Sequence, residues 1–327
     1  MSVIKMTNSG RKINYSIRPA KNIERKMFRD MLLRLSTCFS FYEYQYIGFG
    51  SKYFVDFILL HKSLHINIMI SIENDVHNRK RYEFNKPYSC IDIEFGSASE
   101  VLPRLNLDKE SIVWLDYDSL FSQEMLGDIS TLVSSLPSGS IICLTYNSQP
   151  YKITDLENEN PHSKTPYKDK FIEIFGKENI PANFDERGWS NKNSFSKFIR
   201  QAIHNQINKD LTTRKLREPN IECMQIMYFD YSDTSFMSSL AFIIGTDEIK
   251  NKIDRCNLNM LPFYKNSDEC YRIEVPNLTT KEIRYLSEEM PSINGMISNN
   301  YGIAEKDVEN FCKNYKYYPT FSEIEIF

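Results

Sequence analysis

No apolar run in the chain approaches the 18 or more residues that a membrane-spanning helix needs. The opening stretch, MSVIKMTNSGRK, has no apolar core of the kind a secretory signal carries, so a cytosolic protein is expected. Glycine and proline are scarce, 11 and 13 among 327 residues, which argues against a disordered or low-complexity chain. The seven cysteines form no Cys-x-x-Cys pair and none stands at metal-ligand spacing from a histidine, so reduced thiols and no bound metal are expected. His61 and His65 stand four apart, but Ile66 opens a strand directly after them, and they read as packing or surface residues. The net charge of −3 offers no overall attraction to nucleic acid or to an acidic membrane.

The charge that is present is uneven. Residues 1–27 hold seven bases (Lys5, Arg11, Lys12, Arg18, Lys21, Arg25, Lys26) against one acid, Glu24. A second basic run comprises Lys197, Arg200, His204, Lys209, Arg214, Lys215 and Arg217. Each reads first as a solvated helix face and only second as a surface for an anionic partner.

Apolar periodicity organises the rest. Residues 23–37 have the spacing of an amphipathic helix, with Ile23, Met27 and Leu35 on one side. Strand-like segments then follow at 43–48, 66–73, 91–95, 111–116 and 140–146, with helical candidates near 52–64, 75–84, 98–105 and 122–136 between them. This alternation is the pattern of a parallel sheet with crossover helices, and the nearly continuous apolar strands suit a sheet covered on both faces. After Gln149-Pro150 the chain turns polar, with a short helix around 168–175 and a longer one at 194–217. Two further strands, 221–231 and 238–246, are joined by a hairpin signal. The expected fold is α/β, Rossmann-like, with a mostly parallel seven-stranded sheet, a terminal antiparallel hairpin and a small helical C-terminal module. In the latter, Thr279-Thr280-Lys281-Glu282 has capping-box spacing.

Four features lie at the carboxyl ends of these strands, where open α/β sheets bind ligands. Gly48-Phe49-Gly50-Ser51 turns the first strand into a helix, where small residues let the backbone approach a ligand. Glu73 ends the second strand 25 positions after Gly48 and can accept hydrogen bonds from both hydroxyls of a ribose. Gly96-Ser97-Ala98 follows the third strand, with Ser97 also able to cap the next helix. Asp116, in Trp-Leu-Asp-Tyr-Asp, ends the fourth strand, with Asp118, Tyr146 and Asn147 near the same edge.

With these carriers the chain resembles the class I S-adenosylmethionine (SAM)-dependent methyltransferases over about residues 40–246. It is also similar to an uncharacterised bacterial group labelled as O-methyltransferases, through SIRPAKNIERKM (16–27), YIGFGSKYF, MISIE, VWLDYD and YYPTFSEIEI. The resemblance implies SAM as cofactor, bound by Gly48, Gly50, Ser51, Glu73, Gly96, Ser97 and Ala98. It implies methyl transfer to an oxygen of an unidentified acceptor, with Asp116, Asp118 and Tyr146 as catalytic candidates and no metal. It divides the chain into a basic N-terminal segment and helix (1–40), a SAM-binding domain (41–250) with an insertion at 150–220, and the C-terminal module (251–327). The insertion and the C-terminal module offer surface for a protein partner.

The chain departs from the family's glycine motif twice: Tyr46 stands where an acid is usual and Lys52 replaces the third glycine. The alternative function is therefore a catalytically silent SAM-binding or scaffold partner in a larger bacterial assembly, such as a defence system. A dehydrogenase would need glycine at Tyr53, and a glycosyltransferase reading of Asp116-Tyr117-Asp118 would leave the glycine turn without a task.

Overall fold

The computed structural model describes residues 18–292 and 301–319. Lys5, Arg11 and Lys12 of the basic run, and all but the first three residues of YYPTFSEIEI, lie outside the described residues. Helix α1 (Pro19–Leu35) is followed by the alternating core: β1 (Gln45–Gly48), α2 (Val55–Leu64), β2 (Ile68–Glu73), α3 (Arg79–Asn85), β3 (Ile91–Phe95), α4 (Ala98–Val101), β4 (Ser111–Leu120), α5 (Gln123–Ser135) and β5 (Ile141–Asn147). Next come α6 (Ile153–Glu159), α7 (Pro166–Phe175) and α8 (Lys192–Arg214), the hairpin β6 (Glu222–Ser232) and β7 (Phe236–Gly245), α9 (Asp247–Arg255), β8 (Tyr271–Ile273), α10 (Thr280–Glu288) and α11 (Glu305–Asn314).

The strands form one sheet in the order β3-β2-β1-β4-β5-β7-β6-β8. β1 to β5 run parallel, and β7 enters antiparallel against β5 and β6. The order therefore reverses between β1 and β4, and the carboxyl ends of these strands are where open α/β sheets bind ligands. The eighth strand corrects the expectation of seven: Tyr271–Ile273 pairs parallel with β6, so the C-terminal segment is not purely helical. Three residues are too few to display a strand period, and only the edge that β6 offers makes them a strand.

Strand pleating divides the core into two layers. On β4, Ile112 and Trp114 face the layer shared with α1 and α2, whereas Val113 and Leu115 face the layer containing α5, α7 and α8. Helix α1 starts four residues earlier than its apolar spacing suggested. Pro19 occupies its first turn, and Asp233 in the β6–β7 turn accepts from the amides of Ala20 (3.0 Å) and Lys21 (3.1 Å). A remote carboxylate thus satisfies helix donors that no local side chain caps. The candidate helix 98–105 is divided instead: Pro103 confines α4 to one turn and a 3₁₀ turn follows at Leu102–Arg104. The polar insertion is anchored by aromatic rings, with Phe171 of α7 packed against Phe184, Trp189, Phe195 and Phe198.

The basic runs are only partly solvated faces. Lys21 and Arg25 are buried on α1. In the second run, buried Arg214 donates to the carbonyls of Val133 and Leu136, and Arg200 donates to Gln225. These cations therefore satisfy internal acceptors, not an anionic partner.

Candidate cofactor and methyl-transfer site

Pairing register fixes the geometry at the order reversal. Gly48 lies opposite Ser71 of β2 on one side and Trp114 of β4 on the other. Glu73 and Asp116 each stand two residues further on, so the two carboxylates flank the glycine turn. Residues two apart on a strand share a face, and all four of these strand residues point toward the α1/α2 layer.

On the β2 side, Ser71 links the turn to the carboxylate. Its Oγ accepts from the Gly50 amide (3.0 Å) and donates to Glu73 Oε1 (2.8 Å). Glu73 is only 5% exposed, and burial pushes its carboxyl up to about 7 against the hydrogen bonds from Ser71 and the amides of Gly50 and Ser51. The turn is built without spare volume. A Cβ on Gly50 would lie 2.6 Å from Ser71 Oγ and 2.7 Å from the Phe54 ring. Gly96 donates its amide to the Glu73 carbonyl (3.1 Å), bringing the β3 turn to the same edge, and its φ of +149° suits glycine. Ser97 and Glu100 form a capping box that starts α4 with Ala98.

The departures from the glycine motif have physical explanations. The Tyr46 ring is buried edge-on against Phe57, and its hydroxyl reaches to 2.6 Å from where a Gly48 Cβ would stand. Tyr46 is thus a core residue that itself requires glycine at position 48. In place of a third glycine, Ser51 and Phe54 adopt the left-handed conformation, each with φ of 48°. Lys52 lies over the Tyr53 ring, 5.0 Å from its centre.

On the β4 side the structure reveals partners that spacing could not. Lys21 Nζ lies 2.8 Å from Asp116 Oδ1 and 2.7 Å from Glu24 Oε2, with Lys21 nearly inaccessible and the Asp116 side chain 16% exposed. The ammonium also sits over the Trp114 ring, 4.7 Å from its centre. Burial alone would lower the Lys21 pKa, but Asp116 and Glu24 outweigh it and the net direction is upward. Burial raises the Glu24 carboxyl, which accepts from Ser239 and from Thr145 (3.3 Å). Beside this cluster, Arg25 and Asp56 form a buried ion pair at 2.6 Å between α1 and α2.

The remaining candidates are separated from that cluster. Tyr146 faces the opposite layer, fully buried and edge-on to Phe121, and among the described residues its hydroxyl has only a loose polar contact, with Ser238. Pleating alone dictates this, because its neighbour Thr145 occupies the Asp116 face. Asp118 is exposed on the extension of β4. Between them, Tyr117 donates to Asp128 (2.5 Å) and packs edge-on against Phe49. His61, read as a packing residue, sits with Nδ1 2.8 Å from the Ile66 carbonyl.

Lys21, Glu24, Ser71 and Asp233 are the residues that sequence reasoning missed. Only Ser71 carried a signal, since its two-residue spacing from Glu73 puts both side chains on one face of a strand.

The site suits an adenosine-containing cation. It offers a buried carboxylate for paired hydroxyls and a second carboxylate across the glycine turn, whose tight packing fixes the backbone between them. Among solved structures, the chain is similar to the O-methyltransferase TomG from Streptomyces achromogenes in complex with SAM (10% identity, 72% of this chain and 93% of that one, TM-score 0.36). It is similar to the O-methyltransferase from Bacillus cereus in complex with SAH (11% identity, 66% and 80%, TM-score 0.32). A third is Trm1 from Pyrococcus horikoshii with S-adenosyl-L-methionine (8% identity, 72% and 58%, TM-score 0.42). No curated protein matches the sequence. The family model described as "Putative O-methyltransferase" matches residues 13–326, nearly the whole chain, so the protein belongs to that family and is a SAM-dependent methyltransferase.

Proposed function

We propose that the crevice between β1 and β4 holds SAM and presents it to an acceptor hydroxyl on the Asp116 side. Glu73 would accept from the ribose hydroxyls, Gly96, Ser97 and Ala98 would lie beside the adenine, and Gly48, Gly50 and Ser51 would border the methionine end. The observation that carries this assignment is the Gly50–Ser71–Glu73 hydrogen-bonded link, which joins the glycine turn and the carboxylate into one unit.

When bound, SAM supplies a methyl group made electrophilic by its sulfonium. The protein's part is to orient the acceptor and manage one proton. Asp116, the accessible member of its cluster, accepts a hydrogen bond from the acceptor hydroxyl. It would take up the acceptor's proton when the methyl group passes to that oxygen, with S-adenosylhomocysteine (SAH) as the other product. Exposed Asp118 is assigned to acceptor contact outside the crevice. Tyr146 receives no role, because it lies on the far face of the sheet. The unpaired cysteines support a reducing, cytosolic setting. Among the described residues no helix is long and apolar enough to cross a membrane.

Titration calorimetry with SAH tests the assignment. Glu73→Ala is expected to weaken binding about 100-fold, the scale for losing two hydrogen bonds to a charged acceptor. Unchanged affinity in a folded variant would remove Glu73 from the site.

A further inference from the structure

Lys21 is an expensive residue to place where it is. A buried ammonium loses its hydration, and an apolar side chain of similar size would commonly serve packing as well or better. Yet α1 carries it directly behind Asp116, the partly exposed carboxylate that flanks the glycine turn on its β4 side. Its donors are spent on protein acceptors: Asp116 at 2.8 Å, Thr145 Oγ1 at 3.5 Å, and the Glu24 carboxylate as a charge contact. Thr145 in turn accepts from Trp114 Nε1 (3.0 Å), and its hydroxyl lies 2.8 Å from that of Ser239. Asp233 grips the start of α1, so the ammonium is fixed from both its backbone and its head group.

We propose that the Lys21–Asp116 pair sets how strongly the protein discriminates SAM from its demethylated product. The inference rests on the cofactor assignment above. SAM and SAH differ by one methyl group and by the positive charge on sulfur. A bare Asp116 would favour the sulfonium form, and Lys21 offsets that preference by facing the same carboxylate. Lys21 is therefore a positioning and charge-compensating residue, since its head group does not reach open solvent. Packing away from the transferred methyl affects both ligands alike, and comparing charge-removing with charge-keeping variants in the ratio of affinities isolates the charge effect.

Titration calorimetry with SAM and with SAH measures that ratio without any acceptor. Lys21→Met is expected to shift it toward SAM by roughly three- to tenfold, the scale of removing one unit charge near a partly wet site. Asp116→Asn is expected to shift it toward SAH by a similar factor, and Lys21→Arg, which keeps the charge, to leave it near the wild-type value. If Lys21→Met fails to fold, as its melting curve would show, the Asp116→Asn ratio decides. Ratios within twofold of wild type in the folded charge-removing variants, with both ligands still bound, would overturn the proposal alone. Failure of the wild type to bind either ligand would overturn the cofactor assignment and this inference with it.

Discussion

The two carboxylates that flank the glycine turn occupy matching register positions and have opposite surroundings. Glu73 is held by a hydroxyl and main-chain amides with no cation beside it among the described residues, and its carboxyl rises to about 7. Asp116 meets a buried ammonium and keeps part of its surface open. Neutral donors leave Glu73 free to gain hydrogen bonds from a ligand, whereas Asp116 already has a fixed counter-charge. Equal residue class and equal strand position thus yield different chemistry, because partner charge and solvation set the state of an acid.

The comparison can be broken first through pH. If ribose hydroxyls bind the ionised form of Glu73, SAH affinity should rise about tenfold between pH 6 and pH 8, following the ionised fraction of a group with pKa near 7. Proton release on binding should accompany it, and Glu73→Gln should flatten the profile. The sign for stability is opposite. Because the folded pKa lies above the ordinary 4.5, the unliganded fold loses stability as pH rises from 4.5 to about 7 and then levels off.

A smaller effect should separate the β4 side. Asp233→Ala removes the remote cap of α1 and should lower stability by about 1 kcal/mol in denaturant unfolding. It should leave SAH affinity within about twofold, since Glu73 belongs to other elements; a large loss of affinity would mean that the two sides are mechanically coupled. The smallest effect is expected for Tyr146→Phe. Among the described residues its buried hydroxyl makes only a loose contact, with Ser238, so deleting it should change stability by no more than about 0.5 kcal/mol or raise it. A loss above about 1 kcal/mol would show that the contact with Ser238 is a full hydrogen bond.

The carboxyl-edge placement of the candidate residues was legible in the sequence. The glycine turn, Glu73, the Gly96 turn and Asp116 all fall at the ends of segments whose apolar runs mark them as strands, and strand order places such ends together. Tyr146 was misjudged because nearness in sequence to a strand end says nothing about face, and a one-residue step reverses the side chain. Lys21 was opaque for another reason. Its neighbours in sequence include Arg18, Arg25 and Lys26, so a count of bases reads as solvent, and only docking against β4 shows which cations are buried.

Sequence by itself determined the alternation of strands and helices, the carboxyl-edge position of the glycine turns and of Glu73 and Asp116, and the family, because these depend on local periodicity and on spacing along the chain. Tertiary structure alone decided which charge faces which acid, where α1 begins, and that residues 271–273 close the sheet. Each of those is a contact between segments far apart in sequence, and pairing of that kind leaves no local pattern in the residues that make it.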